Sequence, residues 1–122
     1  MATKAYIAKR TVNIDMLMGN YIDDLVFTIL DADGAAFDFS ASNSLALRIY
    51  DKRTSTRTLI DTLSTTGDYP WSTGGDMQQA SGVISVNTDM PSGMTFGKYN
   101  YELDYIDDEG SKRLAEGTIN VI

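Results

Sequence analysis

The residue types that could do chemistry in this 122-residue chain are few, and most are carboxylates. Glu102 with Glu116, or Asp104 with Asp107, offers the paired acids that glycoside hydrolysis uses, one as acid and the other as base or nucleophile. Nothing completes a fuller catalytic set. The chain has no His and no Cys, which removes the ordinary base at neutral pH, the usual zinc ligands, every nucleophile–His pair and any disulfide framework. Asp31 and Asp33 ahead of Gly34, and the run Asp107, Asp108 and Glu109, carry the oxygen ligands that calcium takes. Their spacing lacks the further ligands and the terminal Glu of an EF-hand loop, so both read as solvated turns, with no metal and no cofactor expected. A single small domain leaves little room for a substrate cleft, and the chain is not expected to be an enzyme.

Two groups suit binding better than catalysis. Tyr69, Pro70 and Trp71 lie in a stretch rich in Gly, Ser and Asp. They could present an aromatic platform to a sugar ring or an anchor to a protein partner, or Trp71 could fold back as a lid over the end of the domain. Lys52, Arg53 and Arg57 are the one concentrated positive group. They could steer pairing with an acidic neighbour, or simply keep an exposed hairpin end soluble. The net charge of −7 argues against a nucleic-acid phosphate backbone or an anionic membrane as partner, since both need a basic footprint. No apolar run has the form of a signal peptide or the length of a membrane span. The missing Cys suits a reducing cytosol as the place of synthesis.

The elements that position these groups read as strands. Residues 97–121 alternate Tyr99, Tyr101, Leu103 and Tyr105 with polar neighbours, turn through Asp107, Asp108, Glu109 and Gly110, and return through Leu114, Ala115, Gly117, Ile119 and Val121. This is the period-2 signature of a long β-hairpin with one buried face, Gly117 marking a bulge or a close backbone approach. Tyr99, near the start of the penultimate strand, stands where immunoglobulin-like folds place a tyrosine whose hydroxyl bonds to the backbone upstream. Residues 4–15 give one or two short strands with Tyr6, Val12 and Ile14. Residues 22–30 predict a central strand covered on both sides. Residues 35–44 cross over, anchored by Phe37 and Phe39. Leu45, Leu47 and Ile49 face inward on the next strand, and Leu59, Ile60 and Leu63 belong to a shorter partner. Residues 65–81 read as the longest irregular loop, residues 82–87 as a strand with Ile84 and Val86 inward, and residues 88–96 as a helical turn capped by Asp89. The fold class is therefore all-β, one domain over 1–122, an immunoglobulin-like Greek-key β-sandwich of about seven strands with no long helix. A small barrel or a jelly roll would need a different strand order.

In order, MPSGMTFGKYNYELDY, DDEG and LAEGTINV resemble the closing strands of immunoglobulin-like domains in bacteriophage virion proteins. The nearest family is the amino-terminal domain of phage baseplate upper proteins. Gly97, Tyr99, Tyr101, Gly110, Gly117 and Val121 occupy the places of its pattern, and Phe37, Asp38 and Phe39 resemble its aromatic crossing. Gly-x-Tyr-x-Tyr also recurs in immunoglobulin-like modules of bacterial surface proteins. In the baseplate family the module resembles the head of a longer fibre-forming chain. A chain ending at Ile122 is expected instead to suit a capsid decoration protein, a head-fibre component or a tail adaptor. The resemblance implies a non-enzymatic virion structural protein that contacts coat, fibre or tail subunits in repeated copies. The rival reading is a carbohydrate-binding or adhesion module using the loop of Tyr69 and Trp71.

Overall fold

The computed structural model describes residues 10–11, 13–19, 21–22, 25–31, 33–40, 42–51, 58–65, 67, 69–71 and 74–122. These residues contain strands and turns and no helix. The strands are β1 (Arg10–Thr11), β2 (Ile14–Met16), β3 (Tyr21–Ile22), β4 (Val26–Thr28), β5 (Ser42–Asp51), β6 (Thr58–Ser64), β7 (Met77–Ala80), β8 (Val83–Val86), β9 (Thr88–Asp89), β10 (Gly97–Asp107) and β11 (Gly110–Val121).

One sheet runs β1-β11-β10-β5-β6, with β2 also on β11. The other runs β4-β8-β7. The pair β3 and β9 continues the β4–β8 ladder with the register displaced by one residue, and a bond from Val86 N–H to Leu25 O of 2.9 Å lies between the two pieces. The chain thus alternates between sheets in the Greek-key order of an immunoglobulin-like sandwich, with β6 as the additional edge strand beside β5. The two opening strands lie parallel to β11.

The alternation in the sequence is what buries one face of each sheet. Leu45, Leu47 and Ile49 of β5, Tyr99, Tyr101, Leu103 and Tyr105 of β10, and Ile119 and Val121 of β11 are all buried. Across the gap they meet Ile22, Phe27, Ile84, Val86 and Met77 in one core cluster. The Phe27 and Tyr101 rings, 5.7 Å apart, join the sheets directly. Phe37 and Phe39 fill one end, packing on each other and on Tyr105, so the crossing is anchored as the sequence predicts. The Tyr99 hydroxyl accepts from Thr95 N–H at 2.8 Å and lies 3.2 Å from Thr95 O, to which it donates. This is the tyrosine corner of the fold, and it satisfies a buried phenol that would otherwise oppose burial.

Asp76 ties the sheets together outside the core. Its carboxylate accepts from Ser64 N–H of β6 and from Thr88 Oγ1 of β9, while its backbone N–H donates to Ser64 O.

Four expectations are corrected. The stretch 22–30 is not a central strand covered on both sides: β4 has only β8 beside it among the described residues, and Val26 is 51% exposed. The loop 65–81 ends in a strand, β7, whose Met77 and Gln79 are buried. Residues 88–96 hold β9 and a turn closed by Met94 N–H to Pro91 O at 3.0 Å, in place of a helical turn. Tyr101 pairs with Gly117 in unbroken register, and the bulge falls at Leu114, since Leu103 pairs with Ala115 and Asp104 with Arg113. Tyr6 and Val12 lie outside the described residues.

The β7–β8 hairpin turns on Ser81 (φ 52°) and Gly82 (φ 81°), the left-handed pair that a two-residue turn requires. A Cβ on Gly82 would stand 2.9 Å from Ile29 O and 3.0 Å from Phe37 N. Gly34 shares the positive φ but faces open space. Gly34→Ala should therefore cost only the conformational strain, about 1 kcal/mol, and Gly82→Ala the strain plus a backbone clash, roughly 3 kcal/mol. Urea unfolding of the two variants checks the difference.

Candidate functional site

The outward face of the large sheet collects three of the carboxylates singled out by sequence, Glu102, Asp104 and Glu116. Arg48 of β5, Glu102 and Asp104 of β10, and Arg113 and Glu116 of β11 form one ion-paired network. Arg48 Nη1 donates to Asp104 Oδ2 at 2.7 Å, and Arg113 Nε to Asp104 Oδ1 at 2.5 Å. Arg113 Nη1 also reaches Glu116 Oε1 at 2.8 Å and Glu102 Oε2 at 3.3 Å. The Asp104 side chain is only 5% exposed. Two guanidinium groups are what make a carboxylate tolerable at that depth.

The bulge creates this arrangement. In unbroken register Asp104 would stand opposite Leu114; with Leu114 left unpaired in the bulge, Arg113 takes that place. Partial burial opposes the charge on Arg113, but the hydrogen bond and charge of Asp104, with Glu102 and Glu116, outweigh it and hold the guanidinium above its ordinary pKa.

The candidate acid pairs are thereby accounted for. Glu102 and Glu116 do stand directly across from one another, yet the Arg113 guanidinium bridges them where a glycosidic oxygen would have to sit. Asp104 and Asp107 are not brought together: Asp104 lies in the network, and Asp107 Oδ1 accepts from Glu109 N–H in the hairpin turn. Asp31 Oδ1 likewise accepts from Asp33 N–H and Ala35 N–H, closing its own turn. Among the described residues no group of three or more His, Cys, Asp or Glu is placed to hold a metal ion.

Of the readings open for the aromatic loop, the structure shows the fold-back of Trp71. Trp71 is 2% exposed, its ring 6.3 Å from Phe39 and edge-on to Tyr69 at 5.3 Å, so it belongs to the core and not to an exposed platform. Gln79 holds the loop down: its N–H donates to Trp71 O at 3.0 Å and its buried amide to Pro70 O at 2.7 Å. Trp71 Nε1 has no hydrogen-bond partner among the described residues. Tyr69, 40% exposed, is the accessible ring of the pair. Lys52, Arg53 and Arg57 lie outside the described residues.

One feature of this face has no counterpart in the sequence reading. Ile122 N–H donates to Met16 O and Ile122 O accepts from Met18 N–H, both at 2.9 Å. This parallel pattern sets Leu17 beside Ile122. On the other side Gly97 pairs with Val121, so Phe96 flanks Ile122 one step further on. Leu17, Ile122 and Phe96, exposed by 74%, 53% and 67%, each one residue beyond the end of β2, β11 or β10, therefore line one margin of the sheet as a row. The next row holds Asp15, Asn120 and Lys98, with Asn120 Nδ2 donating to Asp15 Oδ1. Local sequence could not reveal the row, because its members come from three distant segments.

Tyr101 registers the coupling of core to network. Burial first, and then the charge of Glu116, push its phenol up to about 12, above the ordinary value near 10. The folded state keeps this proton at a pH where the unfolded chain releases it. The stabilisation is complete below about pH 10 and is lost as pH rises toward about 12. Tyr101→Phe should flatten that part of the alkaline decline in the urea midpoint, and Glu116→Gln should shift it to lower pH.

No family model and no curated protein matches the chain. Among solved structures, the extracellular domain of the voltage-gated sodium channel beta4 subunit is similar at 10% identity and a TM-score of 0.42, over 99% of this chain and 98% of that one.

Proposed function

We propose that the chain is a non-enzymatic structural module acting through protein–protein contacts, and specifically a subunit of a bacteriophage virion: a capsid decoration, head-fibre or tail-adaptor protein present in repeated copies. The observation that carries the contact role is how the surface is used. The carboxylates that could do chemistry are held by Arg48 and Arg113 or by turn amides, while large apolar side chains stand exposed at Leu17, Phe96, Leu59 and Ile122. Such side chains gain most from covering by another protein surface. The virion assignment is supported by the phage-like pattern of the closing hairpin, whose Gly97, Tyr99, Tyr101, Gly110, Gly117 and Val121 fall on β10 and β11. The carbohydrate-binding reading is weaker, because the Trp71 ring is turned into the core and Tyr69 alone offers little stacking surface.

Electron cryo-microscopy of particles made with and without this chain tests the proposal. Density at repeated positions should vanish in the deletion particles. Identical maps, together with particles free of the chain by mass spectrometry, would refute it.

A further inference from the structure

The row Leu17–Ile122–Phe96 and the row behind it have a symmetry that the rest of the outward face lacks. Ile122, one residue past the end of β11, lies at the centre of the first row, and Asn120 of β11 at the centre of the second. To one side stand Leu17 and Asp15 on the β2 segment. To the other stand Phe96 and Lys98 at the start of β10. Opposite charges thus flank a common axis at equal strand distance.

We propose that this corner of the large sheet is a self-association site, occupied by a second copy of the chain. Two outward faces stack about a two-fold axis that lies between them and runs along β11. That operation exchanges the two sides of the row while keeping each residue at its own level along the strand. Leu17 then meets Phe96 of the second copy, Ile122 meets its own equivalent, and Asp15 meets Lys98. Each contact away from the axis occurs twice, and the Ile122 self-contact lies on the axis, as an isologous interface demands. Face-to-face packing of aligned sheets at about 10 Å is ordinary for β-sandwich layers and accommodates these side-chain lengths.

Charge and size both select this occupant. The two cross-copy Asp15–Lys98 pairs place opposite charges together, where the overlay with the strands reversed would oppose Asp15 with Asp15 and Lys98 with Lys98. Complementarity of this kind fixes register more than it adds affinity. Three apolar side chains cover far less than the ~800 Å² per partner of a stable complex, and a net charge of −7 on each copy opposes approach. The association is accordingly weak, with Kd of about 0.1–1 mM in isolation, and suits an assembly in which many copies are held close by other contacts, where effective concentration does the rest. This inference stands apart from the virion reading, which particle images decide on their own.

Sedimentation velocity of the full chain from about 10 μM to about 1 mM gives the test, the range being set by that expected Kd. The weight-average sedimentation coefficient should rise with concentration, and Phe96→Ser should abolish the rise. Lys98→Glu and Asp15→Lys should each weaken association about tenfold, and the double variant should recover to within about threefold of the wild type, because the exchanged charges face each other again. A chain that remains monomeric over the whole range overturns the proposal. So does a dimer that survives Phe96→Ser, or a double variant no stronger than either single one. All three positions are exposed, and unchanged circular dichroism confirms that the variants keep the fold.

Discussion

Everything in this molecule depends on β10 being paired on both sides along its length. Gly97–Asp107 hydrogen-bonds to β11 over the whole strand and to β5 from Tyr99 onward, so its backbone groups are satisfied and only its two faces are left to decide. One face carries Tyr99, Tyr101, Leu103 and Tyr105, and has no acceptable place except the interior. Its burial against Phe27, Ile84 and Phe39 draws the second sheet over the first. The other face carries Glu102 and Asp104. Because these belong to the same strand, the charged network on the outside and the core on the inside share one register.

That sharing explains why the bulge at Leu114 matters. One extra residue on β11 places Arg113 over Asp104 while Leu114 and Ala115 remain buried. A carboxylate nearly removed from water becomes a structural tie between β5, β10 and β11 instead of a liability. Asp76 performs the corresponding task between the sheets, bonding β6 to β9. Polar side chains that look reactive in the linear sequence are employed in holding strands. The large side chains left exposed, Leu17, Phe96 and Ile122 among them, are apolar.

The sequence was legible where alternation was strong and local. The hairpin of residues 97–121, the inward Leu45, Leu47 and Ile49, the anchors Phe37 and Phe39, and the Tyr99 corner all follow from period-2 patterning and one bulky residue type. It was illegible where burial depends on a distant partner. The strand Met77–Ala80 reads as loop because Gln79 is polar, and only the Pro70 carbonyl, nine residues back, makes its burial acceptable. The Arg113–Asp104 pair depends on a bulge that no local pattern announces. Trp71 sits in the same ambiguous loop, and the ring of Phe39 against which it packs comes from another part of the chain. The row of Leu17, Phe96 and Ile122 is likewise a property of strand register.

The closing hairpin is the scaffold of the molecule and the sheet margins are its adaptable part. Native-state amide hydrogen exchange measured by NMR tests that division most directly, since core elements open only with global unfolding and margins open locally. Amides of β10 and the paired half of β11 from Ala115 to Val121 should exchange at the global unfolding free energy, while those of β6 and β7 exchange through smaller openings. Exchange from the centre of β10, at Tyr101 or Leu103, with a free energy well below that of global unfolding would contradict the account.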